Sequence, residues 1–109
     1  MDRQLRHLLF HQISVEKWTN KVSGRGAPVY DDAEVFPANI VGEVKMVRNV
    51  RGEEVVSTQS IYLSGTEPGV GDITHKDRIT LPDGRQPPIL AIQPFYNDRS
   101  QLDLVEVNV

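Results

Sequence analysis

No cysteine occurs in this chain, which removes a disulfide framework, a thiolate metal site and a cysteine nucleophile together. Long apolar runs are missing as well: nothing approaches the ~20 consecutive apolar residues that span a bilayer. The N-terminal stretch MDRQLRHLLFHQISVEKW starts basic but carries no extended apolar segment and no small-residue cleavage site, so it does not read as a secretory signal. The expectation is a protein made in a cytoplasm, with no membrane partner. Helical periodicity is nearly absent: only residues 2–10, with Leu5, Leu8 and Leu9 at i, i+3, i+4 spacing, offer a short helix. A basic field is also lacking. The net charge is −3, made of +3 over residues 1–28 and −6 over residues 29–109. A dedicated nucleic-acid binder needs phosphate-neutralising charge on its folded face, and here most of the domain repels a phosphate backbone.

What remains is 109 residues with 39% apolar content, one domain spanning 1–109 with a modest core. Residues 1–12 read as an N-terminal segment that orders on assembly. Period-two alternation dominates the rest. It marks strands over about 8–18, at 29–30, over 34–50, over 53–63, at 78–81, at 89–92 and over 102–109. In the third of these, Ala38, Ile40, Gly42, Val44 and Met46 fall on one side, and Pro37, which cannot donate to a ladder, suits a strand start or an edge. Between strands lie turn residues: SGRG at 23–26, NVRGE at 49–53, PDGR at 82–85 and NDRS at 97–100. Pro82 presets φ, Asp83 supplies a side-chain acceptor and Gly84 accepts positive φ, so with Asp77 and Arg78 at the strand start this stretch reads as a fold-defining turn. The segment 64–76, SGTEPGVGDITHK, holds three glycines and little that can pack, and reads as a long loop. No internal repeat and no low-complexity tract is visible. Six to seven short strands at hairpin spacing predict an all-β fold, a small antiparallel β-barrel or sandwich with long Gly-rich loops.

The candidate chemistry is sparse. His7 and His11 would lie about 13 Å apart on a strand, and no Cys or Glu completes a ligand set. Asp77, Asp83 and Asp98 each sit where a turn or strand end wants Asp. Arg78, beside Asp77, reads as a strand-start residue able to pair across the loop. Ser57, Ser60 and Ser64 lack a nucleophile elbow, and the GVG and GRG pieces lack the strand-to-helix context of a phosphate cradle. Trp18, Tyr30, Tyr62, Phe95 and Tyr96 are not interleaved with Lys or Arg, which favours core and turn packing over base stacking. The expectation is no enzyme, no cofactor, no metal and no small-molecule ligand.

The order of the pieces carries further information. VEKWTN, then SGRGAPVY at 23–30, VFPA at 35–38, GEEVVSTQSIYL at 52–63 and DRITLPDGRQPPI at 77–89 resemble the head-closure proteins of tailed bacteriophages, also called head-to-tail stoppers. The loop GTEPGVGDITHK departs from that family's pattern. The resemblance implies a small β-barrel virion protein, assembled in the host bacterial cytoplasm and located at the head–tail junction. It implies a homo-oligomeric ring of six or twelve copies that contacts the portal or adaptor of the head, lets double-stranded DNA pass non-specifically, closes the channel over packaged DNA and offers a docking face to a tail-terminator or tail-tube protein. An acidic lining suits such a channel, since repulsion keeps DNA from sticking. Three loops qualify as the part that reaches the channel or an interface: Ser23, Gly24, Arg25 and Gly26 in the first, Asn49, Arg51 and Gly52 in the second, Gly65, Glu67, Gly69, Gly71 and His75 in the third. The alternatives are a tail-terminator ring protein of the same junction and, more remotely, an OB or SH3-like nucleic-acid-binding barrel.

Overall fold

The computed structural model describes residues 11–109; the helix read over 2–10, the first residues of the strand read from 8, and His7 lie outside the described residues. The β-branched alternation resolves into β1 (His11–Glu16), β2 (Trp18–Val22), β3 (Pro28–Tyr30), β4 (Glu34–Arg48), β5 (Glu54–Ser64), β6 (Arg78–Thr80), β7 (Ala91–Tyr96) and β8 (Leu102–Asn108). Six of them form one antiparallel sheet in the order β6-β1-β4-β5-β8-β7, and β2 with β3 makes a separate ribbon. The all-β antiparallel expectation holds. Two details differ from it. There are eight strands among the described residues, because the run read through 8–18 breaks at Lys17 into β1 and β2. Moreover, β4 (Glu34–Arg48) ends two residues short of the 34–50 read from sequence.

One face of the sheet makes the core. Ile13 and Val15 of β1, Phe36 and Ala38 of β4, Ile61 and Leu63 of β5, Ile79 of β6, and Val105 and Val107 of β8 belong to a single buried cluster. A sheet with no second layer can bury one face only by curling on itself. Here β6 and β7 are the two ends of the strand order, so among the described residues hydrogen bonds do not close the shell. Leu81 and Ile89 of the connection between β6 and β7 join the same cluster.

Antiparallel register fixes two ends. His11 of β1 lies opposite Ala38 of β4, and Val15 opposite Glu34. The end of β1, the start of β4 and the whole segment 65–77 after Ser64 therefore share what we call the lower end. β7 finishes at Tyr96 opposite Leu102, which places the turn 97–101 there too. At the other, upper end, among the described residues, β4 and β5 continue past their neighbours: β1 pairs as far as Ala38 and β8 flanks β5 from Ser60 to Ser64. The pairing of Lys45 with Ser57 through Arg48 with Glu54 thus projects as a two-stranded arm. One extra residue in β4 between Gly42 and Lys45 shifts the register at its root, a bulge that twists the arm. It also breaks the alternation read from sequence: Ala38 is buried, while Val44 is 76% exposed and Met46 57%.

The turns repeat one design. In 23–27, 49–53 and 97–101, the first N–H donates to the fifth carbonyl at 2.7, 3.0 and 2.9 Å, and the fourth N–H donates back to the first carbonyl at 2.9, 3.0 and 3.0 Å. The first side chain, Ser23, Asn49 or Asn97, accepts from both the third and the fifth N–H. An arginine occupies the third place every time: Arg25, Arg51 and Arg99. The fourth residue takes positive φ, at 81° for Gly26, 78° for Gly52 and 60° for Ser100. The turn of Pro82, Asp83 and Gly84 has the same backbone, with Leu81 N–H on the Arg85 carbonyl at 2.9 Å and the Asp83 carboxylate accepting the Arg85 N–H at 3.0 Å. A side chain at left-handed φ costs about 1 kcal/mol that glycine avoids. We expect Ser100→Gly to stabilise the protein by about 0.5 kcal/mol and Gly52→Ser to destabilise it by about 1 kcal/mol, read from urea midpoints at constant m.

Candidate assembly surfaces

At the lower end two short runs meet as complementary strings. Glu16 lies opposite Arg78 in the pairing of β1 with β6, and continuing that register sets Lys17 against Asp77 and Trp18 against Lys76. Each pair interacts. Arg78 Nη2 and Nε donate to the two Glu16 oxygens at 2.7 and 3.1 Å, a bidentate fork. Lys17 Nζ lies 3.2 Å from Asp77 Oδ2, and Lys76 Nζ sits 4.8 Å from the Trp18 ring centroid. The Arg78 guanidinium in turn covers Tyr30, 4.3 Å from its centroid, and Tyr30 is the residue opposite Trp18 in the ribbon. Arg78 therefore pairs with Glu16 on the neighbouring strand, not with Asp77 beside it.

Asp77 does something different. Only 8% exposed, it accepts the Trp18 N–H on Oδ1 at 3.0 Å and the Thr74 N–H on Oδ2 at 2.9 Å. The first of these hydrogen bonds sits where β1 gives way to β2, and it ties the start of the ribbon to the loop. A cavity of about 400 Å³ opens beside it, lined among others by Lys17, Trp18, His75 and Asp77. The Trp18 indole N–H is buried there with no hydrogen-bond partner among the described residues.

The loop 64–77 is a packed cover. Val70, in a 3-10 turn (Val70–Asp72), is 1% exposed and Ile73 6%, so the segment read as having little to pack supplies two core residues. Its glycines answer to crowding. A Cβ on Gly65 would stand 2.6 Å from the Leu102 carbonyl oxygen, and one on Gly71 3.0 Å from Leu102 Cδ2. Gly69 sits against Phe36 and Glu34, Glu67 O accepts the Val70 N–H, and His75 is exposed beside the cavity. Gly65 and Gly71 thus record close packing against Leu102.

The other two candidate loops are true tips at opposite ends. Ser23, Gly24, Arg25 and Gly26 end the β2–β3 ribbon at the lower end, all exposed. The ribbon from Trp18 to Tyr30 carries Lys21 and Arg25 and no acidic residue. Asn49, Arg51 and Gly52 end the arm at the upper end. Arg48 and Glu54, opposite each other on the arm, approach to 3.8 Å. Val44, Met46, Val50 and Val56 are 76, 57, 65 and 53% exposed, an apolar surface on a projecting two-stranded element. The arm also touches the sheet: Lys45 Nζ donates to Glu106 Oε2 at 2.5 Å, and this hydrogen bond holds the ammonium above its ordinary pKa.

The polar residues considered for catalysis do not converge. Asp83 is at the upper end, away from Asp77 and Asp98. Ser57 donates to the Gln59 and Val109 carbonyls, Ser60 to the Asn108 side-chain oxygen, and Ser64 shares a hydrogen bond with Thr66, so these buried hydroxyls are committed to backbone carbonyls and neighbouring polar side chains. Among the described residues no three His, Asp or Glu side chains gather as a metal site would require. The aromatics differ from the core-packing expectation. Of the five, none is in the core cluster; Phe95 is 40% and Tyr96 64% exposed, because both lie on the edge strand β7.

Glu16 gives the lower end a pH signature. Its hydrogen bonds to Arg78 hold its carboxyl below the ordinary 4.5, against a smaller opposing effect of burial. A depressed folded-state value means the unfolded chain binds more protons. The contribution is therefore complete above the ordinary value and is lost as pH falls through the depressed one. With Arg78 38% and Glu16 21% exposed, it amounts to under about 1 kcal/mol. Glu16→Gln should lower stability by that amount at pH 7 and leave it unchanged in strong acid; parallel urea titrations from pH 7 down to pH 2 measure both limits.

No protein-family model matches this chain, and no curated protein matches it either.

Proposed function

We propose that this chain is a structural protein of the head–tail junction of a tailed bacteriophage, forming a ring that closes the portal channel over packaged DNA and gives the tail its docking surface. Two things support the reading: the resemblance of residues 13–109 to head-closure proteins, and the geometry of the two projections. The observation that carries it is their placement. One curled sheet sends a ribbon bearing Lys21 and Arg25 from its lower end and an arm with an exposed apolar surface from its upper end, and a ring subunit needs such a division between a surface for neighbours and a segment for the channel. Repeating one heterologous contact until it closes makes a ring.

The ribbon tip, residues 23–26, is the segment assigned to the channel. The loop 64–77 is unsuited to that role, since its apolar residues and glycines are committed to the core. A ribbon with two cations, Lys21 and Arg25, in an otherwise acidic domain meets DNA phosphates without making the whole channel adhesive.

The test is the protein's position in particles. Labelled chain should appear on tailless, DNA-filled heads, and heads made without it should leak DNA. Finding it only on free tails replaces this reading with a tail terminator. Salt-dependent DNA binding by the isolated chain, with no particle association, replaces it with a nucleic-acid-binding barrel.

A further inference from the structure

The arm is docked on its own molecule in an unusual way. None of Val44, Met46, Val47, Val55 and Val56 belongs to the hydrophobic core cluster. Between the arm and β7–β8 lies a cavity of about 370 Å³, lined by Lys45, Val47 and Arg48 from the arm and by Ala91, Gln93 and Glu106 from the sheet. Across it runs the ion pair between Lys45 and Glu106. The Glu106 side chain is 9% exposed and that of Lys45 30%. A nearly buried carboxylate needs its cation, because leaving it unpaired is strongly unfavourable. It does not need the cation to come from its own chain.

The root of the arm is built to bend. The extra residue in β4 lies between Gly42 and Lys45, and nothing stands within 4 Å of where a Gly42 Cβ would be. On the other strand, the Thr58 and Gln59 N–H groups both reach the single carbonyl of Val109, at 3.0 and 3.4 Å, so the ladder is already irregular there. The ordinary sheet edges offer poor alternatives for self-association. β6 has three residues, and β7 carries Pro94 in its middle, which interrupts a donor row as edge strands often do.

We propose that neighbouring copies of this chain exchange arms, so that Lys45 of one copy pairs with Glu106 of the next. The occupant is a second copy because the acceptor surface already fits this arm: the contact that forms within one chain forms equally between two, which is the logic of a swapped element. The arm's exposed Val44, Met46 and Val56 lie outside that repeated contact and are left to pack against the body of the copy that receives the arm. The proposal rests on the reading of this chain as a ring component and specifies the contact that links its copies.

Charge reversal tests it. Chains with Lys45→Glu oppose like charges in every copy, as do chains with Glu106→Lys, and each alone should sediment as a monomer. Mixed one to one, each arm finds the opposite charge on the other variant, and assembled species should return containing equal amounts of both. A chain carrying both changes should assemble alone. A mixture that sediments as the sum of its components, beside a double variant that assembles, overturns the exchange. If either single variant fails to fold, the unmodified chain decides. After mixing ¹⁴N- and ¹⁵N-labelled protein, a carbodiimide condenses the Lys45 amine with the Glu106 carboxylate, taking up the water released. Random exchange predicts that roughly half of the coupled peptide pairs carry both isotopes; only same-isotope pairs overturn it. Rings with same-isotope pairs alone would leave the junction role standing and remove arm exchange, whereas absence from phage heads would remove the junction role itself.

Discussion

Asp77→Ala should lower the melting temperature by roughly 15 °C, because one small side chain closes the lower end of the fold. Its two oxygens take the Trp18 N–H at 3.0 Å and the Thr74 N–H at 2.9 Å, and its charge faces the Lys17 ammonium at 3.2 Å. Alanine leaves all three groups in a site that is 92% shielded around Asp77, at a cost of 1–3 kcal/mol for each donor that water cannot reach. A total loss of about 3 kcal/mol allows for partial opening to solvent. Asp77→Asn keeps one acceptor oxygen but turns an amide towards the second donor, so it should recover about half of that. Trp18 is the chain's one tryptophan and stands in this clasp. Its fluorescence should therefore report the opening directly and melt earlier than the far-ultraviolet signal of the sheet in the alanine variant. A shift below about 4 °C would mean that water replaces the carboxylate at little cost, and the clasp would not be structural.

The same clasp shows what the sequence made legible and what it did not. Period-two alternation placed β4, β5 and β8 well because each packs one face against a single core, so residues such as Ile61, Leu63, Val105 and Val107 recur at every second place. Turn residues located the hairpins for local reasons, since Asn49, Gly52 and Gly84 act on backbone within a few positions. The ends of strands were harder. Glu16, Lys17 and Trp18 look like a continuation of β1, and only their partners Arg78, Asp77 and Lys76, about 60 residues on, end the strand and start the ribbon. The signal existed as two antiparallel strings of opposite charge, but nothing local says that they meet. The loop 64–77 was misjudged for a related reason. Glycine at 65 records the approach of Leu102 from a distant strand, and close approach by a remote residue looks, in sequence, the same as looseness. The bulge between Gly42 and Lys45 was hidden likewise: one inserted residue leaves the apolar alternation readable while turning Val44 and Met46 out of the core.

Replacing Val44, Met46 and Val56 together by serine should leave the fold intact and weaken assembly about a hundredfold. The three side chains are 76, 57 and 53% exposed, and surface changes of this kind move stability by less than about 0.5 kcal/mol each. Against a neighbouring copy the same side chains would bury apolar area worth roughly 1 kcal/mol apiece, and about 3 kcal/mol is about two decades in a dissociation constant. The two measurements separate the explanations. Sedimentation velocity over a concentration series reads the loss of assembly, and the melting temperature reads the fold, which should stay within about 7 °C of the unmodified chain. In particles the triple variant should yield heads that fill and then leak. Substituting the edge residue Tyr96, at the lower end and 64% exposed, serves as the control. If that change weakens assembly as much as the triple one does, apolar exposure in general drives association and the arm has no special part. If the arm alone matters, the 15-residue strand β4 is long because its second half belongs to the assembly, while its first half belongs to the core.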